Sequence, residues 1–233
     1  MIKAQTWRKP SALSREPAHD SWDRRGAVTF YTKIVKEKFG LTGARVRGGP
    51  GREHEPTLVV VSGPPGSGKT TLAHEVARAV GCPAICRDEI KEGMAHAMPG
   101  FAPGPGDDLT MRTLPVFFGV LELLLTAGVT TVAEAAFQDR IWRPRLAPLL
   151  PLARLRIVHC TVDPEVAFQR IVRRGAASTV RAAHADPRPE DEADYIRRHL
   201  AFDRVSLDAP WIEVDTTSGY RPGIDQVVAF ING

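Results

Sequence analysis

The densest chemistry in the chain lies in Gly63-Pro64-Pro65-Gly66-Ser67-Gly68-Lys69-Thr70, which follows the spacing G-x-x-x-x-G-K-[ST] without a mismatch. Glycine lets the backbone curl so that successive N–H groups point inward at an anion. A helix opening at the end of the loop adds the positive end of its dipole. Lys69 can then reach the β- and γ-phosphates of a nucleotide, and the Thr70 hydroxyl can ligand Mg²⁺. With Thr71, the segment 63–71 reads as a nucleotide-phosphate cradle for ATP or GTP. The motif fixes binding and leaves open what is done with the phosphate.

A second cluster, Cys86-Arg87-Asp88-Glu89-Ile90-Lys91, ends a short apolar run. At the carboxyl edge of an open parallel sheet it would border the same crevice as the phosphate loop. A carboxylate there can take the proton of a hydroxyl that attacks the γ-phosphate, and Asp88 is the candidate. Asp88 could equally cap the helix that follows, and the two roles are compatible. Lys91 falls one helical turn later and would hold a polar or anionic part of an acceptor.

From about Thr57 onward the chain resembles the P-loop kinase group of zeta toxins, chloramphenicol phosphotransferase and polynucleotide kinase domains. It is most similar to that group's small predicted ATP-dependent kinases, labelled AAA-type ATP-binding proteins. GPPGSGKTT, the RDEI segment, and D-P-E-V-A-F-Q-R-I-V-R-R before a polar loop carry the likeness. The resemblance implies that Asp88 is the catalytic base or substrate-hydroxyl ligand. It implies that Arg170 and Arg174, on one helix with Arg173, are lid arginines that neutralise the transferred phosphoryl group. A solvated basic helix end is the alternative for them. The loop 175–189 would be the moving lid, closing over ATP to exclude water.

The third apolar run ends in Ala133-Glu134-Ala135-Ala136-Phe137. P-loop proteins often place a carboxylate here to organise Mg²⁺, and related kinases commonly show Asp where this chain has Glu134. Three roles stay open for Glu134: the metal, the acceptor, or a structural pairing with a cation. Arg140 and Arg143, beyond the strand, are candidate acceptor-site cations or plain surface residues.

These residues need a frame, and the pattern from 56 onward alternates short β-rich runs with longer helical ones, as in a parallel α/β sheet. Strands are expected at 57–62, 83–86, 129–133, 155–160 and 211–214. The first is a near-continuous β-branched run, suited to a strand covered on both faces. Helices are expected at 70–80, 88–97, about 109–127, 164–174, about 190–207 and 223–231, with a Pro-interrupted helix before the fourth strand. Asp163 reads as an N-cap before Pro164. The fold class is therefore an α/β P-loop NTPase three-layer sandwich. Its five-stranded, mostly parallel sheet carries helices on both faces, and the resemblance adds a nucleoside-monophosphate-kinase-like build with a lid.

Residues 1–55 read as a separate basic extension with a helix at 21–39 and a Gly/Arg/Pro-rich linker at 41–56, and 56–233 as the kinase domain. Residues 1–56 hold 12 Lys+Arg against 6 Asp+Glu, leaving 19 and 21 for the rest. The extension could meet nucleic acid or an acidic partner, or be solvated. No apolar run reaches the roughly 20 residues of a membrane span, and 1–9 lacks a signal-peptide core, so a cytoplasmic protein is expected. Cys82, Cys86 and Cys160 read as buried free thiols. The histidines show no metal spacing, so no transition-metal site is expected. Phe117 and Phe118 read as core, and Trp211, at the start of the last strand, as a packing residue.

The leading function is a kinase for a small-molecule hydroxyl, with residues 98–108 helping to form the acceptor pocket. A kinase for the 5′-hydroxyl of a polynucleotide is mildly favoured by the basic extension, but no aromatic-and-basic stacking pattern accompanies it. A nucleotide-dependent switch without an acceptor is the third reading, and the Asp88 and arginine pattern argues against it. Oligomeric state is not legible.

Overall fold

A computed structural model describes residues 55–104, 107–177, 184 and 189–233. The chain divides into two units, Met1–Gly49 and Pro50–Gly233, and the described residues all belong to the second. The basic extension with its helix and nearly all of its linker lies outside the described residues. So does most of the polar loop after residue 177.

Five strands form one sheet: β1 Thr57–Ser62, β2 Ala84–Cys86, β3 Thr131–Glu134, β4 Arg154–Thr161 and β5 Trp211–Asp215. Their order is β2-β3-β1-β4-β5, and all four pairings are parallel. The "mostly parallel" expectation is thus met by a wholly parallel sheet. The central strand β1 is buried along its whole length, which explains its unbroken TLVVVS run. A strand with helices on both faces has no solvent side on which to place polar residues.

Among the described residues seven α-helices surround the sheet: α1 Lys69–Val80, α2 Arg87–His96, α3 Asp108–Thr126, α4 Asp139–Leu146, α5 Pro164–Ala177, α6 Glu192–Leu200 and α7 Ile224–Asn232. On one face Val59, Val61, Val132 and Val158 pack against Leu72 and Val76 of α1 and Val227 and Ile231 of α7. On the other, Leu58, Val60 and Ile157 meet Phe117 and Leu121 of α3 and Trp142 and Leu146 of α4. Phe117 is fully buried as expected, and Phe118 packs at the edge of this core. Alternate residues of each strand serve opposite cores, as the period of two requires.

Several boundaries differ from the sequence reading. β3 starts at Thr131 and runs through Glu134, because Gly128 (φ 81°) turns the chain and the Thr131 hydroxyl donates to the Val129 carbonyl. α6 ends at Leu200. Beyond it Arg204 bridges to Gln138 while Val205 enters the α3–α4 core. α5 extends to Ala177, and Asp163 accepts from the Glu165 and Val166 amides (2.9 and 3.1 Å), the expected cap. Contrary to the sequence reading, α3 is apolar and long enough to cross a membrane by length and composition. Its inner face, including Leu114, Phe117 and Leu121, packs on the sheet, as a core helix does. Trp211 is 60% exposed, an edge residue rather than a packed one.

Candidate active site

All the chemistry gathers at the carboxyl edge of the sheet. β1 has neighbours on both sides; the chain leaves it toward β2 and β3 on one side and later crosses from β3 to β4 on the other, which opens a crevice above its end. The loop 63–68 occupies that crevice. Gly66 and Gly68 adopt φ of 77° and 71°, a region that side chains disfavour. Gly68 caps α1 with no side-chain hydrogen bond, so the first amides of α1 are left for an anion.

Neighbouring elements hold the loop in shape. The Tyr195 hydroxyl on α6 donates to the Pro65 carbonyl at 2.6 Å. Thr216, just after β5, donates to the Ser67 carbonyl at 2.7 Å. Arg170 of α5 donates to the Thr216 and Thr217 carbonyls at 2.7 and 3.0 Å. A Cβ on Gly66 would stand 2.5 Å from the Ala167 carbonyl, so α5 lies directly against the loop. Tyr195 and Thr216 carry no motif of their own, and the sequence reading missed both.

Lys69 is 8% exposed and Glu134 2% exposed, with Lys69 Nζ 3.8 Å from Glu134 Oε1. The Thr70 hydroxyl donates to Glu134 Oε2 at 3.1 Å. Burial pushes the Glu134 carboxyl up; Lys69 opposes this, Asp88 adds to it, and the net direction is upward. Glu134 is therefore brought together with both working side chains of the loop. Thr71, on the outer side of α1, is exposed.

Asp88 sits in the first turn of α2. Cys86 is the helix N-cap, without a side-chain cap bond, and Asp88 instead accepts from Arg87 Nη1 at 2.8 Å. Burial pushes the Asp88 carboxyl up, but Lys69, His184 and Arg87 outweigh it and hold it below its ordinary value. Asp88 and Glu134 thus share the field of Lys69. Arg87 also donates to the Thr110 carbonyl at 3.1 Å, tying α2 to the start of α3.

Lys91 is 4% exposed, and its Nζ is 2.8 Å from Asp107 Oδ2. Asp107 also caps α3 by accepting from the Thr110 amide at 2.7 Å. Burial pushes the Asp107 carboxyl up, but Lys91 and Thr110 outweigh it and bring it down to about 2. Sequence reasoning missed Asp107 as the partner of Lys91. Arg174 lies one turn beyond Arg170 on the exposed side of α5, where its charge reaches Tyr195. Arg140 opens α4 and is exposed. Arg143 pairs with Asp139, which also accepts from the Ser206 amide at 2.7 Å.

Donors suited to Mg²⁺ are hard oxygens, and the Thr70 hydroxyl with the Glu134 carboxylate supplies them beside the phosphate loop. The residues present fit that ion.

The sequence from 58 to 200 matches the family model AAA_33, described as an AAA domain. No curated protein matches the chain. Among solved structures it is similar to a Chloroflexus aurantiacus protein provisionally assigned as a kinase, with 22% identity, 77% of this chain and 98% of that one covered, and a TM-score of 0.68. A Janibacter sugar kinase follows with 23% identity, coverage of 76% and 91%, and a TM-score of 0.50. A Sinorhizobium meliloti gluconokinase gives 19%, 78% and 94%, also at 0.50. At such identities these likenesses speak for the fold, that of P-loop kinases. The family match spans well over half of the sequence, and the chain belongs to the AAA_33 family of AAA domains.

Proposed function

We propose that the protein is a phosphotransferase that moves the γ-phosphate of ATP or GTP to a hydroxyl of a small molecule, within the zeta-toxin-like group its motifs resemble. The supporting observation is one lysine, Lys69, whose charge acts on two unlike carboxylates. Glu134 is buried against Thr70, while the Asp88 side chain is 39% exposed. A phosphate site alone needs one carboxylate; a second, solvent-facing one gives an acceptor hydroxyl somewhere to deliver its proton.

In this reading the amides of 66–69 and the α1 N-terminus bind the phosphates, and Lys69 bridges the β- and γ-oxygens. Thr70 and Glu134 would hold Mg²⁺, whose charge neutralises the phosphate oxygens. Asp88, kept ionised by Lys69 and Arg87, accepts a hydrogen bond from the acceptor hydroxyl and orients it in line with the γ-phosphorus. The acceptor oxygen bonds to phosphorus as the bond to the bridging oxygen of the departing diphosphate breaks. The hydroxyl proton passes to Asp88 and on to solvent. Because the transition state is loose, orientation matters more here than base strength. Arg170 and Arg174 line the phosphate side, with Arg170 held against the β5 loop. Lys91 and Arg140 flank the acceptor side.

The test is γ-phosphate transfer from labelled ATP into pooled sugars, nucleosides and antibiotics, with Lys69→Ala as the blank. Label that depends on Lys69 and falls at least about a hundredfold in Asp88→Asn, nucleotide affinity unchanged, is the expected result. Full transfer by Asp88→Asn removes the assignment of Asp88. Label in free phosphate alone, across the whole panel, removes the kinase reading.

A further inference from the structure

One group of side chains next to this site takes no part in phosphate chemistry. His74 on α1, Cys86 at the end of β2 and Glu89 in the first turn of α2 converge, with one ligand atom of each lying within 4.8 Å of the other two. His74 Nε2 is 3.6 Å from Cys86 Sγ and 2.6 Å from Glu89 Oε1. Among the described residues this is the one place where three such donors meet. We propose that His74, Cys86 and Glu89 form a binding site for a divalent cation of the zinc class, distinct from the Thr70–Glu134 oxygens.

The donor set carries the choice of ion. Thiolate and imidazole prefer borderline-soft ions over Mg²⁺ or Ca²⁺, and a single carboxylate completes a common zinc trio. Geometry agrees. Two ligands at about 2.3 Å (sulfur) and about 2.0 Å (nitrogen) from a tetrahedral centre stand roughly 3.5 Å apart, close to the 3.6 Å observed between Cys86 and His74. The 2.6 Å contact between His74 and Glu89 is a hydrogen bond, and it would open to roughly 3.3 Å around an ion at about 2.0 Å from each. Both side chains have room to do this, being 43% and 48% exposed. Cys86 is 2% exposed, so the sulfur is the fixed member and the other two swing onto it. Three protein ligands leave the fourth position to water from the exposed side.

The reaction balances simply. Cys86 binds as a thiolate, its proton passing to solvent; His74 binds through an unprotonated ring nitrogen and Glu89 through a carboxylate oxygen, any proton they carry also passing to solvent, and the ion loses three waters. An occupied site would clamp the first turn of α2 to α1. Asp88 lies in that turn, so the consequence for phosphotransfer rests on the kinase reading, while the binding itself does not.

The test is titration of the purified full-length chain with Co²⁺, read by absorbance. One equivalent should produce a thiolate-to-cobalt charge-transfer band with tetrahedral d–d intensity, and Zn²⁺ should bleach it. The band should vanish in Cys86→Ser and persist in the Cys82→Ser/Cys160→Ser double variant. His74→Ala and Glu89→Gln, at half-exposed positions that the fold tolerates, should each weaken binding at least about tenfold. Lys69→Ala should bind cobalt normally, which separates this result from the fate of the kinase assignment. Absence of a thiolate band at millimolar cobalt, its survival in Cys86→Ser, or unchanged cobalt affinity in His74→Ala overturns the proposal.

Discussion

Asp107→Asn removes one negative charge and almost no volume from the contact between α2 and α3. Lys91, 4% exposed, loses the one counter-charge within ion-pair distance among the described residues, 2.8 Å away. The helix cap is largely kept, since Asn caps about as well as Asp. Two routes give the size of the loss. The Asp107 carboxyl is brought from 3.8 down to about 2, and at about 1.36 kcal/mol per unit this shift corresponds to about 2 kcal/mol. Orphaning one member of a buried pair typically costs about 3–5 kcal/mol. Asp107 keeps some contact with water at its loop, and screening pulls the figure toward the lower route. A loss of about 2–3 kcal/mol is expected at pH 7, measured by urea unfolding.

The double variant Lys91→Met/Asp107→Asn should recover most of that loss, because no buried charge is then left alone. The sign of the pH effect follows from the lowered value. The contribution is complete above 3.8, drains away as pH falls toward about 2, and should be absent from the pH profile of Asp107→Asn. A single variant within 0.5 kcal/mol of the parent, or a double variant as unstable as the single, would refute the reasoning. The Lys91–Asp107 pair would then carry no structural weight.

Two further outcomes can be checked together. Gly66→Ala forces a side chain into φ 77° and a 2.5 Å approach to the Ala167 carbonyl. Strain of about 1–2 kcal/mol plus the clash should lower Tm by roughly 4–8 °C in calorimetry and abolish nucleotide binding; an unchanged Tm would contradict the contact. Tyr195→Phe removes the 2.6 Å bond to the Pro65 carbonyl, worth about 1 kcal/mol net. Nucleotide affinity should fall about fivefold by fluorescence titration with the fold intact, and no change would mean that Tyr195 does not shape the loop. The Tyr195 hydroxyl is pushed up to about 12, first by burial, so this effect should not vary with pH below 10.

The parts legible in the sequence were those whose physics is local. The phosphate loop announces itself because its glycines, lysine and threonine act within one turn of chain, and TLVVVS reads as a buried strand because burial on two faces leaves no alternation. Asp88 could be nominated from its place after β2. The supports of the site were not legible. Tyr195 reaches Pro65 across 130 residues and Thr216 reaches Ser67 across 149, and no spacing rule connects them. Lys91 was nominated for an acceptor, and its pairing with Asp107 was missed, since nothing short-range links it to the cap of the next helix. His74, Cys86 and Glu89 sit on three elements, so a search for metal spacing along the chain passes over them.

The position of β1 bears on how the chain is made. Among the described residues it is the first strand synthesised and the central one in the sheet, yet its partners begin only at Thr131 and Arg154. At about 5–20 residues per second, roughly 5–20 s separate the emergence of Thr57 from that of Arg154 on the ribosome. Until Thr131 emerges, six residues of high β-propensity and no charge have neither neighbour, and until Arg154 only one, the profile of a segment that pairs with copies of itself. Slowing translation between β1 and β4 would lengthen this exposure, and holdase binding to the nascent chain should peak before β4 emerges.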